Sequence, residues 1–161
     1  LLADPIDAFW PDRLASYEGK RLASTTQSTT DLDSGTDQPD ISVLTSALKA
    51  ALGDEVSEVR ATARLTDSAV VLAPSGKGPD LQLQRLMRRS GRGGPAAPPV
   101  LEVNPKHAVI EALSKHMEDK ERIAEAAATL LDLAHVQEGD LPKDPAGFAR
   151  RVTALMAEGL G

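Results

Sequence analysis

The chain of 161 residues is long enough for one ordinary domain, or for a small domain joined to part of another. Its 18 basic and 24 acidic residues give a formal net charge of -6. This charge excludes the class of nucleic-acid-binding proteins that are positively charged over most of their surface. Cysteine is absent, so disulfides and thiolate metal sites are excluded, and the few aromatic residues predict a core of leucine, valine, isoleucine and alanine.

The first part of the chain reads as the end of an α/β unit, with a turn signal at Asp4-Pro5. Residues 24–40 follow with four aspartates, no basic residue and a single large apolar side chain, Leu32. Such a segment cannot bury enough surface to offset its ordering entropy, so it predicts a mobile linker. We place the boundaries at a first unit of 1–30, a linker of 31–40 and a second unit of 41–161. Because the chain begins at Leu1 and not at methionine, we expect a fragment of a longer protein.

The second unit alternates between helical and extended patterns. Asp40 is a candidate N-cap for a helix that ends at Gly53. Residues 55–65 alternate, with Val59, Ala61, Ala63 and Leu65 on one face, and 69–73 form an apolar run; both predict strands. A helix over 80–90, a strand at 100–103 and helices over 107–117, 120–138 and 144–159 complete the order. We therefore predict an α+β fold with a small three-stranded sheet.

The last two helices carry wide apolar stripes. The 120–138 helix is apolar over more than a third of its circumference, because Ala126, Leu133 and Val136 extend its main stripe. Such a helix needs a second partner. Two helices from each of two chains would form a four-helix interface about a twofold axis. In the alternative arrangement, the neighbouring helices of one chain cover both sides.

The 80–90 segment allows two interpretations. Arg85, Arg88, Arg89 and Arg92 form a basic cluster that would bind phosphates, although the segment has no aromatic residue to stack on bases. On the other side, Leu83, Leu86 and Met87 share one face, and methionine suits adaptable contacts with many partners. Glycine and proline flank the helix at both ends, which favours a loosely tethered helix with an accessible apolar edge.

Catalytic and metal sites find little support in the sequence. His107, His116 and His135 lack the spacing of a ligand motif, so we interpret them as surface histidines. A phosphate-binding loop follows a strand and precedes a helix. The glycines after the 80–90 helix follow a helix instead, so they do not predict such a loop. No apolar run is long enough for a membrane span. We expect a cytoplasmic protein with no catalytic, cofactor-binding or metal-binding residue in this chain.

Several ordered stretches together resemble the C-terminal region of bacterial Hsp90 chaperones of the HtpG type. They are VRATARLTDSAVVL at 59–72, LEVNPKHAVIEAL at 101–113 and TLLDLAHVQEGDLPKDPAGFARRVTALM at 129–156. DPIDAFWPDRLASYEGKRLASTT, at 4–26, resembles the end of that family's middle domain. The chain ends at MAEGLG without the acidic tail of eukaryotic relatives, which favours the bacterial type.

The resemblance implies a homodimer held by the last two helices and a helix that contacts unfolded client proteins. It assigns the client helix to 80–90, with Leu83, Leu86 and Met87 at the contact positions, and a second client contact to Phe9 and Trp10. The dimer contacts that it implies are Ile123, Ala127, Leu130, Leu131, Ala134, Phe148, Val152, Leu155 and Met156.

The resemblance also implies that enzymatic activity lies outside this chain. In the family, ATP and Mg bind a separate N-terminal domain, so this part would hold no cofactor and catalyse no reaction. Its expected partners are a second copy and unfolded or partly folded proteins, with no nucleic acid and no membrane. The alternative is a dimeric adaptor that binds nucleic acid through Arg85, Arg88, Arg89 and Arg92.

Overall fold

The structure, a computed structural model, describes residues 39–75 and 97–160, together with the backbone of two short strands near the N-terminus. Those strands, β1 (Ser16–Tyr17) and β2 (Lys20–Arg21), pair antiparallel. The predicted linker at 31–40, apart from its last two residues, and the predicted helix at 80–90 lie outside the described residues. The division into two units therefore stays a prediction.

Helix α1 (Ser42–Leu52) has a local signal at each end. The predicted N-cap is wrong by one residue, because Ile41 is the N-cap and its side chain makes no cap bond. Asp40, one residue earlier, accepts a hydrogen bond of 2.9 Å at Oδ1 from the Ser42 N–H. Gly53 adopts a φ of 53°, which favours glycine, and ends the helix. A 3-10 turn, Gly53–Glu55, leads from it to the sheet.

The sheet contains β3 (Glu58–Ala61), β4 (Val70–Ala73) and, between them, β5 (Val100–Val103). Strand β5 is parallel to β3 and antiparallel to β4, so the sheet is mixed. Helix α1 packs on β3. Since side chains alternate across a strand, Leu101 and Val103 face the core with Val59 and Val70 beside them, while Glu102 faces the opposite side.

The predicted strand over 55–65 was too long, because β3 ends at Ala61. The register pairs Ala61 with Val103, and the Thr62 N–H donates one further bond of 2.9 Å to the Val103 carbonyl. Strand β5 ends at Val103 and the chain turns at Asn104-Pro105, so β5 does not continue the pairing with β3 beyond that point. Thr62 is buried and Ala63 is exposed, which breaks the predicted alternation.

The Asn104 side chain holds the turn that follows β5. Its Oδ1 atom accepts from the Lys106 N–H at 3.0 Å, and its Nδ2 group donates to the Ser68 carbonyl at 3.3 Å. Three residues after Asn104, His107 Nδ1 accepts from the Val109 N–H at 3.3 Å and caps the short helix α2 (Ala108–Ser114). The Asn-Pro-x-His motif therefore encodes a turn and a helix start.

The last two helices match their predicted extents closely. Helix α3 (Lys120–Gln137) is capped by Asp119, whose Oδ1 atom accepts from the Arg122 N–H at 3.0 Å. Helix α4 (Pro145–Leu160) starts after Asp144, which accepts from the Gly147 N–H at 2.9 Å. Helix α3 packs on α1 and β4, and α4 packs chiefly on α3. The predicted α+β class and three-stranded sheet are confirmed.

Candidate protein-docking surface

The main apolar stripe of α3 is buried inside the chain. It contains five of the nine predicted dimer contacts, namely Ile123, Ala127, Leu130, Leu131 and Ala134, and none of them is more than 4% exposed. They join one core cluster with residues of α1 and the sheet. The alternative arrangement, in which one chain covers this side of α3, accounts for their burial. As the chain stands, these side chains are inaccessible to a partner.

The other four predicted contacts lie on α4 and have a different environment. Phe148 and Val152 are half-buried, while Leu155 and Met156 are 57% and 60% exposed. Beyond Arg151, the helix carries a single charged residue, Glu158. An amphipathic helix with its apolar side open and few charges has the composition of a surface that becomes buried on association.

Helix α3 adds two exposed apolar side chains that were not assigned to the interface. Leu133 and Val136 are 37% and 46% exposed. They lie one turn after Thr129 and Asp132, which accept hydrogen bonds from Arg151 of α4, so they belong to the side of α3 next to α4. We call the set of Leu133, Val136, Leu155 and Met156 the α3–α4 face.

A polar network joins the two helices that form this face. The Arg151 Nε–H donates to Thr129 Oγ1 at 3.1 Å, and Arg151 Nη2 donates to Asp132 Oδ2 at 2.5 Å. Thr129 and Asp132 are buried, with 7% and 9% of their surface exposed. The network therefore lies at the packed side of α4 and connects it to α3 at two points.

The Asp132 carboxyl is titratable and largely buried. Burial raises the pKa of Asp132 above its ordinary value, and the negative charge of Glu55 acts in the same direction. The positive charges of Arg151 and His135, with the hydrogen bond from Arg151, act to lower this pKa but do not outweigh burial. Holding Asp132 ionised next to Arg151 therefore costs free energy.

A second buried acid lies on the central strand. Glu102 is fully buried, and its two carboxylate oxygens accept from Arg60 Nη2 at 2.6 Å and from Arg64 Nε at 2.5 Å. Arg60 lies directly across the ladder on β3, as the register pairs these two residues. Charge-assisted bonds to both oxygens compensate the burial of the carboxylate. This cluster ties β3 and the loop after it to β5.

The three histidines occupy unrelated positions. His107 caps α2, His116 Nδ1 lies 3.9 Å from Glu118, and His135 is half-buried on α3. Among residues 39–75 and 97–160, no three acidic, histidine or cysteine side chains gather closely enough to hold a metal ion. Within the same part of the chain, no helix is sufficiently long and apolar to span a membrane.

The predicted client contacts and the basic cluster lie outside the described residues. This applies to Leu83, Leu86, Met87, Phe9 and Trp10, and to the arginines Arg85, Arg88, Arg89 and Arg92. Both interpretations of the 80–90 segment therefore stay predictions.

Two signals in the sequence point to residues that the predicted site omitted. The sequence attributes the excess apolar surface of α3 to Ala126, Leu133 and Val136, and the last two are the large apolar side chains of α3 that are exposed. Arg151 lies three residues after Phe148 and four before Leu155, so it interrupts the apolar side of α4 with a charge. A charged residue in such a position indicates a buried acidic partner, but the partner itself is 19 residues away.

Comparisons with known proteins cover the whole chain. A family model described as Hsp90 protein matches residues 1–161. The chain is 53% identical over 167 residues to the chaperone protein HtpG of Methylobacterium nodulans, a match that covers 99% of this chain and 27% of that protein. It is 52% identical to HtpG of Methylorubrum populi and 51% identical to HtpG of Gluconobacter oxydans, each over 98% of this chain and 26% of the relative. The chain thus spans about a quarter of the length of these relatives.

Proposed function

Because the chain belongs to the Hsp90 protein family, we propose that it is the dimerisation and client-contact part of an ATP-dependent Hsp90-type chaperone that assists protein folding. The observation that carries the dimerisation half is the α3–α4 face, whose four large apolar side chains are 37% to 60% exposed in a single chain. The names of the relatives, chaperone protein HtpG, support the chaperone half.

A second copy of the chain is the partner that best fits the α3–α4 face. The face combines side chains from two adjacent helices, and two such pairs related by a twofold axis make a four-helix arrangement. Helix α4 spans 16 residues, or about 24 Å at 1.5 Å per residue, which gives a long contact. Its second half offers small residues, Ala154, Ala157 and Gly159, that permit close approach of the two chains.

Dimerisation has a mechanical consequence for a chaperone. The parts of the two chains that precede the dimer contact, called the arms, would be joined at one end. Joining them raises the effective concentration of each arm for the other, so their closure becomes an intramolecular event. ATP and Mg would bind the N-terminal domain of the longer protein and supply the energy of closure. This part would hold no cofactor and catalyse no step; it would fix the two arms together and present apolar side chains to unfolded segments.

The client contacts proposed here are those that the family resemblance assigns. Leu83, Leu86 and Met87 would provide weak contacts that tolerate many sequences, since apolar burial is non-directional. Phe9 and Trp10 would add an aromatic contact. The neighbouring arginines would keep this segment soluble and favour acidic clients.

Substitution of the α4 part of the face tests the dimer. The double variant Leu155→Glu, Met156→Glu should be a folded monomer by analytical ultracentrifugation, because two carboxylates on each chain would be desolvated at the contact. As a matched control, Val43→Glu with Val109→Glu places two carboxylates at apolar positions on α1 and α2 that are 70% and 46% exposed. The control should stay dimeric; a dimeric Leu155, Met156 variant would contradict the proposed contact.

A triple substitution tests client contact separately. Leu83→Ser, Leu86→Ser and Met87→Ser should weaken binding to a permanently unfolded, reduced and carboxymethylated protein, measured by fluorescence anisotropy, and leave the sedimentation mass unchanged. Unaltered binding would contradict the assignment of these residues to client contact. Loss of the fold would show instead that they belong to the core.

A further inference from the structure

Arg151 is a charged side chain within the apolar side of α4, and its guanidinium turns onto α3. Two different nitrogens make its contacts, Nε to Thr129 Oγ1 at 3.1 Å and Nη2 to Asp132 Oδ2 at 2.5 Å. A guanidinium is planar and rigid, so bonds from two of its nitrogens fix its direction as well as its position. Because the two acceptors lie three residues apart on α3, the contact defines both the height and the rotation of α4 on α3.

The first turn of α4 leaves space for this guanidinium because it contains a glycine, Gly147. Gly147, one turn before Arg151, is buried. A Cβ atom at Gly147 would lie 3.3 Å from Arg151 Nη1 and 2.2 Å from Asp144 Oδ2, the carboxylate that caps the helix. Glycine therefore leaves room for the arginine and for the cap together, which ties the network to the start of the helix.

The ion pair is a costly way to hold two helices together. Burial raises the pKa of Asp132 despite the nearby charges of Arg151 and His135, while Glu55, itself 3.2 Å from Lys143, adds a repulsive charge. Apolar side chains of similar volume often stabilise a fold as well as a buried ion pair or better. Apolar side chains make no directional contact. The ion pair therefore adds a fixed orientation of α4 on α3.

We propose that Arg151 is a positioning residue for dimerisation: by bonding Thr129 and Asp132 it fixes α4 on α3 at the orientation in which the α3–α4 face matches a second copy. The proposal rests on the dimer proposed above and deepens it. Arg151 does not itself contact the partner. It acts through the relative placement of Leu133 and Val136 on one helix and Leu155 and Met156 on the other.

An apolar replacement of the pair separates orientation from stability. The double variant Asp132→Leu, Arg151→Met keeps the buried volume but has no directional bond, and Thr129 Oγ1 retains its bond of 2.8 Å to the Glu125 carbonyl. We expect its melting temperature, measured at a concentration where wild type and variant are both dissociated, to equal or exceed that of the wild type. Its dimer dissociation constant by sedimentation equilibrium should rise about tenfold or more.

The adjacent arginine provides the matched control. Arg150 is 75% exposed and lies 3.8 Å from the Asp144 carboxylate, so Arg150→Met removes the same group without removing a bond to Thr129 or Asp132. Its dimer dissociation constant should stay within about twofold of the wild-type value. Arg151→Lys keeps the charge but lacks the rigid planar group that fixes the direction of both bonds, so we expect it to fold and to dimerise more weakly.

Acid should affect the dimer and the fold in opposite directions through Asp132. Because the pKa of Asp132 is raised on folding, its ionisation costs stability above that pKa, and the cost disappears as the pH falls through it. Relative to the Asp132→Leu, Arg151→Met variant, the wild type should gain stability in acid and lose dimer affinity, since a protonated Asp132 no longer holds Arg151.

The outcomes distinguish the proposal from the dimer on which it rests. Three proteins are compared: the wild type, the double variant Asp132→Leu, Arg151→Met, and the single variant Arg151→Lys. Equal dimer dissociation constants for all three would overturn the positioning role and leave the dimer intact. If Arg150→Met weakened the dimer as much as Arg151→Lys, the positioning role would also be overturned. A monomeric wild type would overturn both proposals.

Discussion

Apolar side chains of the same kind are buried in one region of the molecule and exposed in another. The first region is the sheet with α1 and α3, and the second is α4. Leu131 on α3 is 4% exposed, whereas Leu155 on α4 is 57% exposed. Each residue belongs to the apolar stripe of its helix. An apolar stripe therefore predicts that a helix face becomes buried, but not whether the same chain or another molecule covers it.

The difference follows from the number of neighbours that each helix has. Helix α3 contacts α1 and β4 on one side and α4 on the other. Helix α4 is the last described element and packs chiefly on α3, mainly through the first half of its length, where Gly147, Phe148 and Arg151 are buried or half-buried. Its second half extends past these contacts with its apolar side open.

The largest effects should come from two neighbouring leucines on α3. Leu131→Glu would bury a carboxylate in the core, at a cost of several kcal/mol out of a total stability of about 5–15 kcal/mol, so we expect an unfolded chain. Leu133→Glu adds the same charge two residues away at a side chain that is 37% exposed, so we expect a folded but monomeric chain. Circular dichroism and sedimentation distinguish these results; a folded Leu131→Glu protein would contradict the assignment of that residue to the core.

The next effect concerns the buried carboxylate of the sheet. Glu102→Gln keeps the shape but removes the charge facing Arg60 and Arg64, whose side chains are 32% and 28% exposed. We expect a loss of about 2–4 kcal/mol in the free energy of unfolding, measured by urea denaturation. The loss should be similar in the wild-type and Leu155→Glu, Met156→Glu backgrounds, because the cluster belongs to the part of the chain that is complete without a partner. A loss confined to the dimeric background would contradict this comparison.

A smaller effect is expected at the start of α4. Gly147→Ala would place a Cβ atom 2.2 Å from Asp144 Oδ2 and displace the capping carboxylate, at a cost of about 1 kcal/mol. Gly159→Ala is the matched control, since nothing lies within 4 Å of a Cβ there and alanine has the higher helix propensity. Thermal unfolding should show a lower midpoint for the first variant and an equal or higher midpoint for the second. The reverse order would contradict the packing of Gly147.

Local signals in the sequence were sufficient for most element boundaries. Asp40, Gly53, Asp144 and Pro145 act on the backbone within a few residues of themselves, so the bounds of α1 and the start of α4 could be predicted. The end of β3 could not, because it depends on where β5 turns, some 40 residues later in the chain. The central place of β5 depends on the same kind of long-range pairing.

The candidate surface could be predicted only in part for a similar reason. Periodicity located the apolar sides of α3 and α4, and the excess on α3 indicated a second partner. Periodicity could not show that α1 and the sheet cover the main apolar stripe of α3 and leave Leu133 and Val136 exposed. Nor could it pair Arg151 with Asp132, because their contact requires a loop that returns α4 onto α3.

The sedimentation mass of the unmodified chain shows whether a second copy covers the α3–α4 face. A single chain has a mass of 17.0 kDa. If a second copy covers the α3–α4 face, sedimentation equilibrium at micromolar concentration should give twice that mass, with dissociation on dilution. A mass that stays at 17.0 kDa over the whole concentration range would contradict the proposed dimer, because the apolar side of α4 would then be stably exposed to water.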